Sequence, residues 1–196
     1  MTGQRTAREL IAVWASSENS RTSSEQPLQR LEEIGLAEGM TLLDVGCGIG
    51  FYSFCASAIV REKGLVHALD RNQKFITHLT EKAKKQNVRN INAVVADAHE
   101  TGLTSESVDV VFVNQVLHCL EDKPRAVEEF NRVLKRNGKL VVDEKDLIPQ
   151  GIIRELAEHA GFKFAKSTRE TVQVFEKVEM PVPERTFGKD RGESDE

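Results

Sequence analysis

The sequence predicts an α/β protein built on a mostly parallel sheet. Five apolar runs of strand length are rich in Val, Leu and Ile and nearly continuous, as in strands covered on both faces. These runs are 40–45, 64–70, 91–97, 107–113 and 139–144. Helical patterns separate them, at about 51–62, 72–87 and 124–136. Because alternating strands and helices form right-handed βαβ units, we expect the five strands to run parallel.

Boundary residues support the third of these helices. Pro124 suits a first helical turn, and Asn137-Gly138 suits a left-handed stop. Beyond the fifth strand, a helix near 149–160 is expected to be followed by two strands within 162–179, joined by a short turn. The sequence therefore predicts a closing antiparallel hairpin on the edge of the sheet.

The two ends of the chain differ from this alternating core. Helical patterns at 6–15 and 25–35 precede the first strand. We predict an N-terminal helical lid over 1–35, a main domain over 36–180 and a polar, Pro-bearing, disordered tail over 181–196.

Composition narrows the class of protein. The chain has 196 residues and a net charge of −4 with a pI near 5.8, which argues against a nucleic-acid partner. No apolar run approaches the roughly 18–20 residues of a membrane span, and the N-terminus lacks a secretory signal. The three cysteines form no C-x-x-C pair. Their odd number argues against a disulfide framework and for a reducing, cytoplasmic setting.

The stretch LLDVGCGIG, residues 42–50, carries a glycine motif with an acidic residue in front of it. A dinucleotide site needs G-x-G-x-x-G, and here Phe51 takes the place of the third glycine of that pattern. Asp44 would lie near a pyrophosphate, and two like charges about 4 Å apart repel by several kcal/mol at an effective dielectric constant of roughly 20. A cationic ligand reverses the sign. Asp44 therefore favours S-adenosylmethionine, which carries an ammonium and a sulfonium, over NAD.

Acidic and amide residues stand at the ends of the next three strands. Asp70 ends the second strand at the spacing from the glycines at which a carboxylate accepts ribose hydroxyls. At the end of the third strand, Asp97 is placed to accept from the adenine amine and the Ala98 N–H to donate to the ring. Asn114 and Gln115 end the fourth strand, beside the expected methyl group, because ligands of open α/β sheets lie in this crevice.

Over about residues 35–180, the sequence resembles the class I S-adenosylmethionine-dependent methyltransferases. The segments that carry the resemblance are LLDVGCGIG, LVHALD, ADAHE, VDVVFVNQVLHCL and LKRNGKLVVDE. Within that family, these segments are most similar in sequence to the ubiquinone/menaquinone-biosynthesis branch. The resemblance implies a Rossmann-like three-layer αβα sandwich with seven strands in the order 3-2-1-4-5-7-6, the last one antiparallel. It also implies S-adenosyl-L-methionine as cofactor and S-adenosyl-L-homocysteine as product.

The resemblance assigns roles to individual positions. Asp44 and the loop residues Gly46, Cys47, Gly48 and Gly50 should hold the methionine moiety. Asp70, with its neighbour Arg71, should bind the ribose. Asp97 and Ala98 should bind the adenine, and Asn114 and Gln115 should line the sulfonium end.

The sequence indicates the methyl acceptor and the catalytic group less clearly than the cofactor site. His118 lies near the expected acceptor pocket and is either a general base or a packed histidine. The three cysteines are too scattered for a metalloid site, and no zinc-type cluster is present, so we predict no metal. We expect a small-molecule acceptor. Two alternatives remain: a methyltransferase with a macromolecular acceptor, and an NAD-dependent or regulatory protein that does not methylate. The sequence leaves open whether the chain forms a homodimer.

Overall fold

The computed structural model describes residues 27–145 and 147–178, which form a single seven-stranded sheet with helices on both faces. The strands are β1 Thr41–Val45, β2 Leu65–Asp70, β3 Ile91–Val95, β4 Val108–Asn114, β5 Leu134–Asp143, β6 Phe162–Thr168 and β7 Val172–Lys177. The helices are α1 Pro27–Glu33, α2 Phe51–Val60, α3 Gln73–Lys85, α4 Lys123–Val133 and α5 Gln150–His159, with a 3₁₀ turn at Leu117–Cys119.

The strand order is β3-β2-β1-β4-β5-β7-β6, which confirms the predicted topology. Neighbouring strands from β3 to β5 pair in parallel, and β7 pairs antiparallel with both β5 and β6. The predicted hairpin is therefore present, with β7 inside the sheet and β6 at its edge. In this order the carboxyl ends of β1, β2, β4 and β5 lie side by side.

The fifth strand differs from its predicted bounds. The helix before it ends at Val133 rather than at 136, and β5 begins at Leu134 rather than at 139. Leu134 is fully buried and pairs with Val108, while the register shifts before Lys139 pairs with Val110. Asn137 does take a left-handed φ of 60°, but it does so inside this irregular strand and not at a helix end. Burial of Leu134 on the sheet thus ends the helix early.

Two apolar layers cover the sheet, as continuous apolar strands require. On one face, Leu31 of α1, the following Ile34 and Tyr52 of α2 pack against the sheet. Their partners in the sheet include Leu42 and Phe112. The opposite face is covered by α4 and α5, whose buried residues include Val127, Phe130, Ile153 and Ala157. Within the described ranges, no helix is long and apolar enough to cross a membrane.

Asp109 supports the fold. Its Oδ2 accepts hydrogen bonds from the Thr41 backbone N–H and from Lys135 Nζ, both at 2.8 Å. The carboxylate therefore links the first residue of β1 to the start of β5 through β4, on the side of the sheet away from the carboxyl ends.

Glu129 of α4 fixes the connection from β3 to β4. Its Oε1 accepts hydrogen bonds from Thr101 N at 2.9 Å and from Thr101 Oγ1 at 2.6 Å, and its Oε2 accepts from Arg132 Nε at 2.6 Å. Although burial opposes ionisation of Glu129, the hydrogen bonds from Arg132 and Thr101 lower its pKa to about 2. The charged carboxylate is thus the form that holds the connection following β3.

Glu129→Gln is expected to lower the free energy of unfolding by about 1.5–3 kcal/mol at pH 7, because charge-assisted hydrogen bonds are lost. The contribution of Glu129 should be complete above its ordinary pKa of 4.5 and should be lost as the pH falls towards 2. Urea unfolding at pH 7 measures the difference. The exposed neighbour Glu128, changed to Gln, is the control, and equal losses in both variants would contradict this role.

The predicted ends of the chain are mostly outside the described residues. Of the N-terminal segment predicted over 1–35, only residues 27–35 are described, as α1 with its following turn. The helix expected at 6–15 and the tail expected over 181–196 lie outside the described ranges.

Candidate functional site

The glycine loop, residues 46–50, joins the carboxyl end of β1 to α2. Gly46 has a φ of +68°, and a Cβ there would lie 2.4 Å from Cγ2 of Val116, so any other residue would strain the backbone and displace the Val116 side chain. Gly48 has a φ of +54°, but a Cβ there would have no atom within 4 Å. The loop is therefore packed at Gly46 and open at Gly48, which leaves its backbone accessible to a ligand. Gly50 precedes α2 and lies against Leu79.

Asp44 of β1 is a buried carboxyl group, with a relative exposure of 3%. Ser53 of α2 donates a hydrogen bond to its Oδ2 at 2.5 Å. Burial and, to a smaller extent, the charge of Asp70 together raise the pKa of Asp44 to about 7, although hydrogen bonds from Ser53 oppose them. No Lys, Arg or His of the described ranges forms an ion pair with Asp44. The site thus contains a buried acid whose charge nothing in the described chain neutralises.

Asp70 ties the glycine loop to the start of α3. Its Oδ2 accepts from Gly48 N at 3.0 Å and its Oδ1 accepts from Asn72 N at 2.8 Å. Asn72 in turn caps α3 by accepting from Lys74 N. Each carboxylate oxygen of Asp70 receives one hydrogen bond from the chain and retains a lone pair. The side chain can therefore accept two hydroxyl groups while it holds the loop.

Asp97 and Ala98 follow β3 on the same side of the sheet. Asp97 Oδ1 accepts from the backbone N–H of His99 at 2.9 Å and contacts His99 Nδ1. The His99 backbone hydrogen bond lowers the pKa of Asp97, and the charges of His99 and Arg71 lower it further. The Asp97 side chain is 55% exposed, and Ala98 N donates to no described residue. This pair offers an acceptor and a donor side by side, with Arg71 close enough to act on Asp97.

Asn114 and Gln115 lie where β4 ends. Asn114 is half-buried and pairs in register with Asp143 of β5. Gln115 has a φ of +54°, and both its N and its Nε2 donate to the Asp143 carbonyl oxygen, at 2.8 and 3.0 Å. The Gln115 amide thus holds the turn after β4, while Asn114 has no such tie within the described residues.

His118 lies in the 3₁₀ turn that follows. Its Nδ1 is 2.9 Å from Glu144 Oε2, and its backbone N donates to Glu144 Oε1 at 3.3 Å. Glu144, which follows β5, was not among the residues predicted from the sequence, and neither was Ser53. The signal for Glu144 was available, because it is a polar residue at a strand end like the others. Ser53 lies inside a helix and gave no such signal.

Burial disfavours the nucleophilic thiolate form of Cys47 and Cys55. Cys47 is buried in the glycine loop, and burial together with the charges of Asp44 and Asp70 raises its thiol pKa well above the ordinary value. Burial raises the pKa of Cys55 to about 12. Cys119 is exposed and unpaired. Among the described residues, no group of three or more His, Cys, Asp or Glu is arranged to hold a metal ion.

The chain is similar in sequence to known methyltransferases. Residues 36–180 match a family model described as a methyltransferase domain. The chain is 31% identical to the ubiquinone/menaquinone biosynthesis C-methyltransferase UbiE of Shewanella piezotolerans over 134 residues, which cover 68% of this chain and 53% of the relative. It is 29% identical to arsenite methyltransferase of Halobacterium salinarum over 109 residues, 56% of this chain and 28% of the relative. The chain thus spans about a quarter to a half of these two relatives.

Solved structures share the fold of this chain. A SAM dependent methyltransferase from Aquifex aeolicus superimposes with a TM-score of 0.73 at 26% identity, covering 88% of this chain and 98% of the other. The [4+2]-cyclase SpnF superimposes with a TM-score of 0.64 at 19% identity, covering 83% of this chain and 75% of that one. The second likeness concerns the fold alone.

Proposed function

We propose that this chain, which belongs to the class I S-adenosylmethionine-dependent methyltransferases, binds S-adenosylmethionine at the carboxyl edge of its sheet and methylates a small-molecule acceptor. The observation that carries the proposal is the buried Asp44, which has no cationic partner in the described chain and lies beside the open glycine loop. A buried acid with a strongly raised pKa is a candidate for a functional site. A ligand with an ammonium group supplies the missing positive charge, whereas a pyrophosphate would add to the negative charge.

The other residues fit the remaining parts of this cofactor. The open backbone at Gly48 allows the methionine moiety to approach. Asp70 can accept the two ribose hydroxyls through its free lone pairs. Asp97 and the Ala98 N–H offer the acceptor and donor that an adenine edge requires, and Arg71 lies within electrostatic reach of Asp97.

The chain's contribution to the reaction is binding, orientation and exclusion of water. S-Adenosylmethionine, when bound, supplies an electrophilic methyl group on sulfur. Holding a nucleophile and that methyl group at roughly 3–3.5 Å can lower the barrier by about 7–11 kcal/mol. We assign the approach of the acceptor to the segment after β4, because ligands of open α/β sheets lie at the carboxyl ends of the strands.

The choice of a small-molecule acceptor rests on charge and on the cysteines. A net charge of −4 and a pI near 5.8 argue against a nucleic-acid acceptor. The Halobacterium salinarum relative is an arsenite methyltransferase, but trivalent arsenic is held by several thiolates. Here Cys47 and Cys55 are buried with raised pKa values, and Cys119 stands alone. We therefore place the acceptor among organic molecules.

The free cysteines support a cytoplasmic setting.

Titration calorimetry with S-adenosylhomocysteine and, separately, with NADH tests the proposed cofactor. We expect S-adenosylhomocysteine to bind with a Kd of about 1–50 μM, in the lower part of the usual range of enzyme KM values, and NADH to bind at least about 100 times more weakly. Tight binding of NADH, or no binding of S-adenosylhomocysteine, would overturn the proposal.

A further inference from the structure

His118 and Glu144 form an isolated acid–histidine pair at the carboxyl edge of the sheet. The Glu144 side chain is fully buried, with 0% exposure, while the His118 side chain is 27% exposed. Both oxygens of Glu144 are used on His118, one on the backbone N–H and one on Nδ1. No hydrogen bond joins His118 Nε2 to the described residues. The carboxylate therefore fixes both the position of the ring and the nitrogen that carries its proton.

This pair lies beside the proposed cofactor site. Val116, two residues before His118, packs directly against Gly46 of the glycine loop. Gln115, one residue earlier, is bonded to the carbonyl of Asp143, the residue before Glu144. The turn that carries His118 is thus held between the glycine loop and the end of β5, on the side where an acceptor would reach the methyl group.

A packing role does not account for the pair. Burying a carboxyl group is costly unless its oxygens are well bonded, and a histidine that only fills space needs no buried acid. Here the buried partner accepts from His118 alone among the described residues, and it leaves the second ring nitrogen unused. The arrangement is that of a base with its orienting carboxylate.

We propose that His118 is the general base of the reaction, that Glu144 is its positioning residue, and that the acceptor therefore carries a weakly acidic hydroxyl group, phenolic or enolic. This inference rests on the proposed function. A nucleophile that is already an anion or a free lone pair, such as a thiolate or trivalent arsenic, needs no base. A neutral hydroxyl group does, because its attack leaves a proton to be removed.

The step balances with the groups at hand. His118 Nε2 takes the hydroxyl proton while the electron pair left on the acceptor forms the new bond to the methyl carbon. The bond from that carbon to sulfur breaks, and its electron pair stays on sulfur, which gives S-adenosylhomocysteine. The Glu144 carboxylate stabilises the imidazolium ion, which then releases its proton to water.

A first experiment needs no acceptor. In ¹⁵N-labelled protein, long-range ¹H–¹⁵N correlation spectra report which nitrogen of His118 carries the proton. We expect the proton on Nδ1 in the neutral ring of the wild type, and loss of this preference in Glu144→Gln. His78, which is exposed on α3, serves as the reference ring. A proton on Nε2 in the wild type would overturn the assignment of His118 as base.

A second experiment measures transfer of labelled methyl groups to matched phenols and thiophenols. We expect methylation of at least one phenol, with kcat about 100-fold lower in His118→Ala and about tenfold lower in Glu144→Gln, KM nearly unchanged, and partial rescue of His118→Ala by added imidazole. Thiophenol, which arrives ionised, should be affected less than threefold. His78→Ala and Glu121→Gln, both at exposed positions, are the matched controls.

The outcomes separate the two proposals. Methylation of thiophenols but of no phenol, or phenol methylation retained in His118→Ala, overturns the base and the acceptor class. Binding of S-adenosylhomocysteine in both variants is expected to match the wild type. If the wild type itself fails to bind S-adenosylhomocysteine, the proposed function fails, whatever the state of His118.

Discussion

Replacing Asp44 with Asn is expected to weaken S-adenosylhomocysteine binding by about tenfold or more at pH 8 and, in the same protein, to raise thermal stability. The loss of affinity follows because a charged partner of the ligand ammonium is removed, and hydrogen bonds to charged groups contribute about 1.5–3 kcal/mol. The gain in stability follows from the burial of Asp44 without a cation in the described chain. A gain in stability together with a loss of affinity is what replacing an uncompensated buried charge in a binding site should give.

The sign of the stability change comes from the pKa of Asp44. Burial raises that pKa from an ordinary 3.8 to about 7, so between these pH values the folded chain keeps a proton that the unfolded chain releases. The resulting stabilisation is complete below pH 3.8 and is lost as the pH rises through 7. At pH 8 the ionised group costs roughly 4 kcal/mol relative to a solvated aspartate. Asn recovers part of this, about 1–2 kcal/mol, which corresponds to a Tm higher by roughly 3–6 °C.

Asp109→Asn is the matched control for this prediction. Asp109 is also an aspartate of a central strand, but it is bonded to Thr41 N and Lys135 Nζ and lies away from the carboxyl edge. Its replacement should lower Tm by a few degrees and leave the affinity for S-adenosylhomocysteine unchanged. Calorimetry for Kd and thermal unfolding at pH 8 give both quantities. An Asp44→Asn protein that is both less stable and equally able to bind would contradict the role assigned to this carboxyl group.

Asp70→Ala is expected to have the largest effect on affinity, a weakening of S-adenosylhomocysteine binding by about 100-fold. Two contributions are lost together. The ribose hydroxyls lose their acceptor, and Gly48 N and Asn72 N lose the carboxylate that holds the loop against α3. Hydrogen bonds to a charged group contribute about 1.5–3 kcal/mol each, so two of them account for the expected loss.

A second variant separates these contributions. Asn72→Ala removes the cap of α3, which is expected to cost about 1 kcal/mol of stability, and leaves the Asp70 carboxylate in place. We expect its affinity for S-adenosylhomocysteine to fall less than about threefold. If Asn72→Ala weakened binding as much as Asp70→Ala, the effect would belong to the loop structure and not to contacts with the ribose.

Strand periodicity was sufficient to predict the sheet, because each strand is covered on both faces and reads as a continuous apolar run. It was insufficient at β5, where the pairing of Leu134 with Val108 extends the strand back into the predicted helix. Asn137 does adopt the left-handed conformation that its type favours, yet that conformation serves a strand irregularity. Local propensity indicates the backbone conformation there, but the neighbouring strand decides which element contains it.

The positions of the candidate site could be predicted where they coincide with strand ends, as for Asp44, Asp70 and Asp97. Their partners could not. Ser53 meets Asp44 only because α2 folds back over β1, and Glu144 meets His118 only because β4 and β5 are adjacent. Such pairings depend on which elements lie next to each other, and a single sequence does not state that. Gln115 illustrates the same point, since its amide bonds the Asp143 carbonyl across the strand pair.

The pH dependence of S-adenosylhomocysteine binding tests the central claim most directly, since that claim is that an ionised Asp44 meets a cationic ligand. With the pKa of Asp44 near 7 in the free protein, ligand binding must first remove its proton at lower pH. Calorimetry should therefore give a Kd about tenfold weaker at pH 6 than at pH 8 in the wild type, and no such difference in Asp44→Asn. Affinity that is unchanged or tighter at pH 6, with Asp44→Asn binding as the wild type does, would contradict the claim.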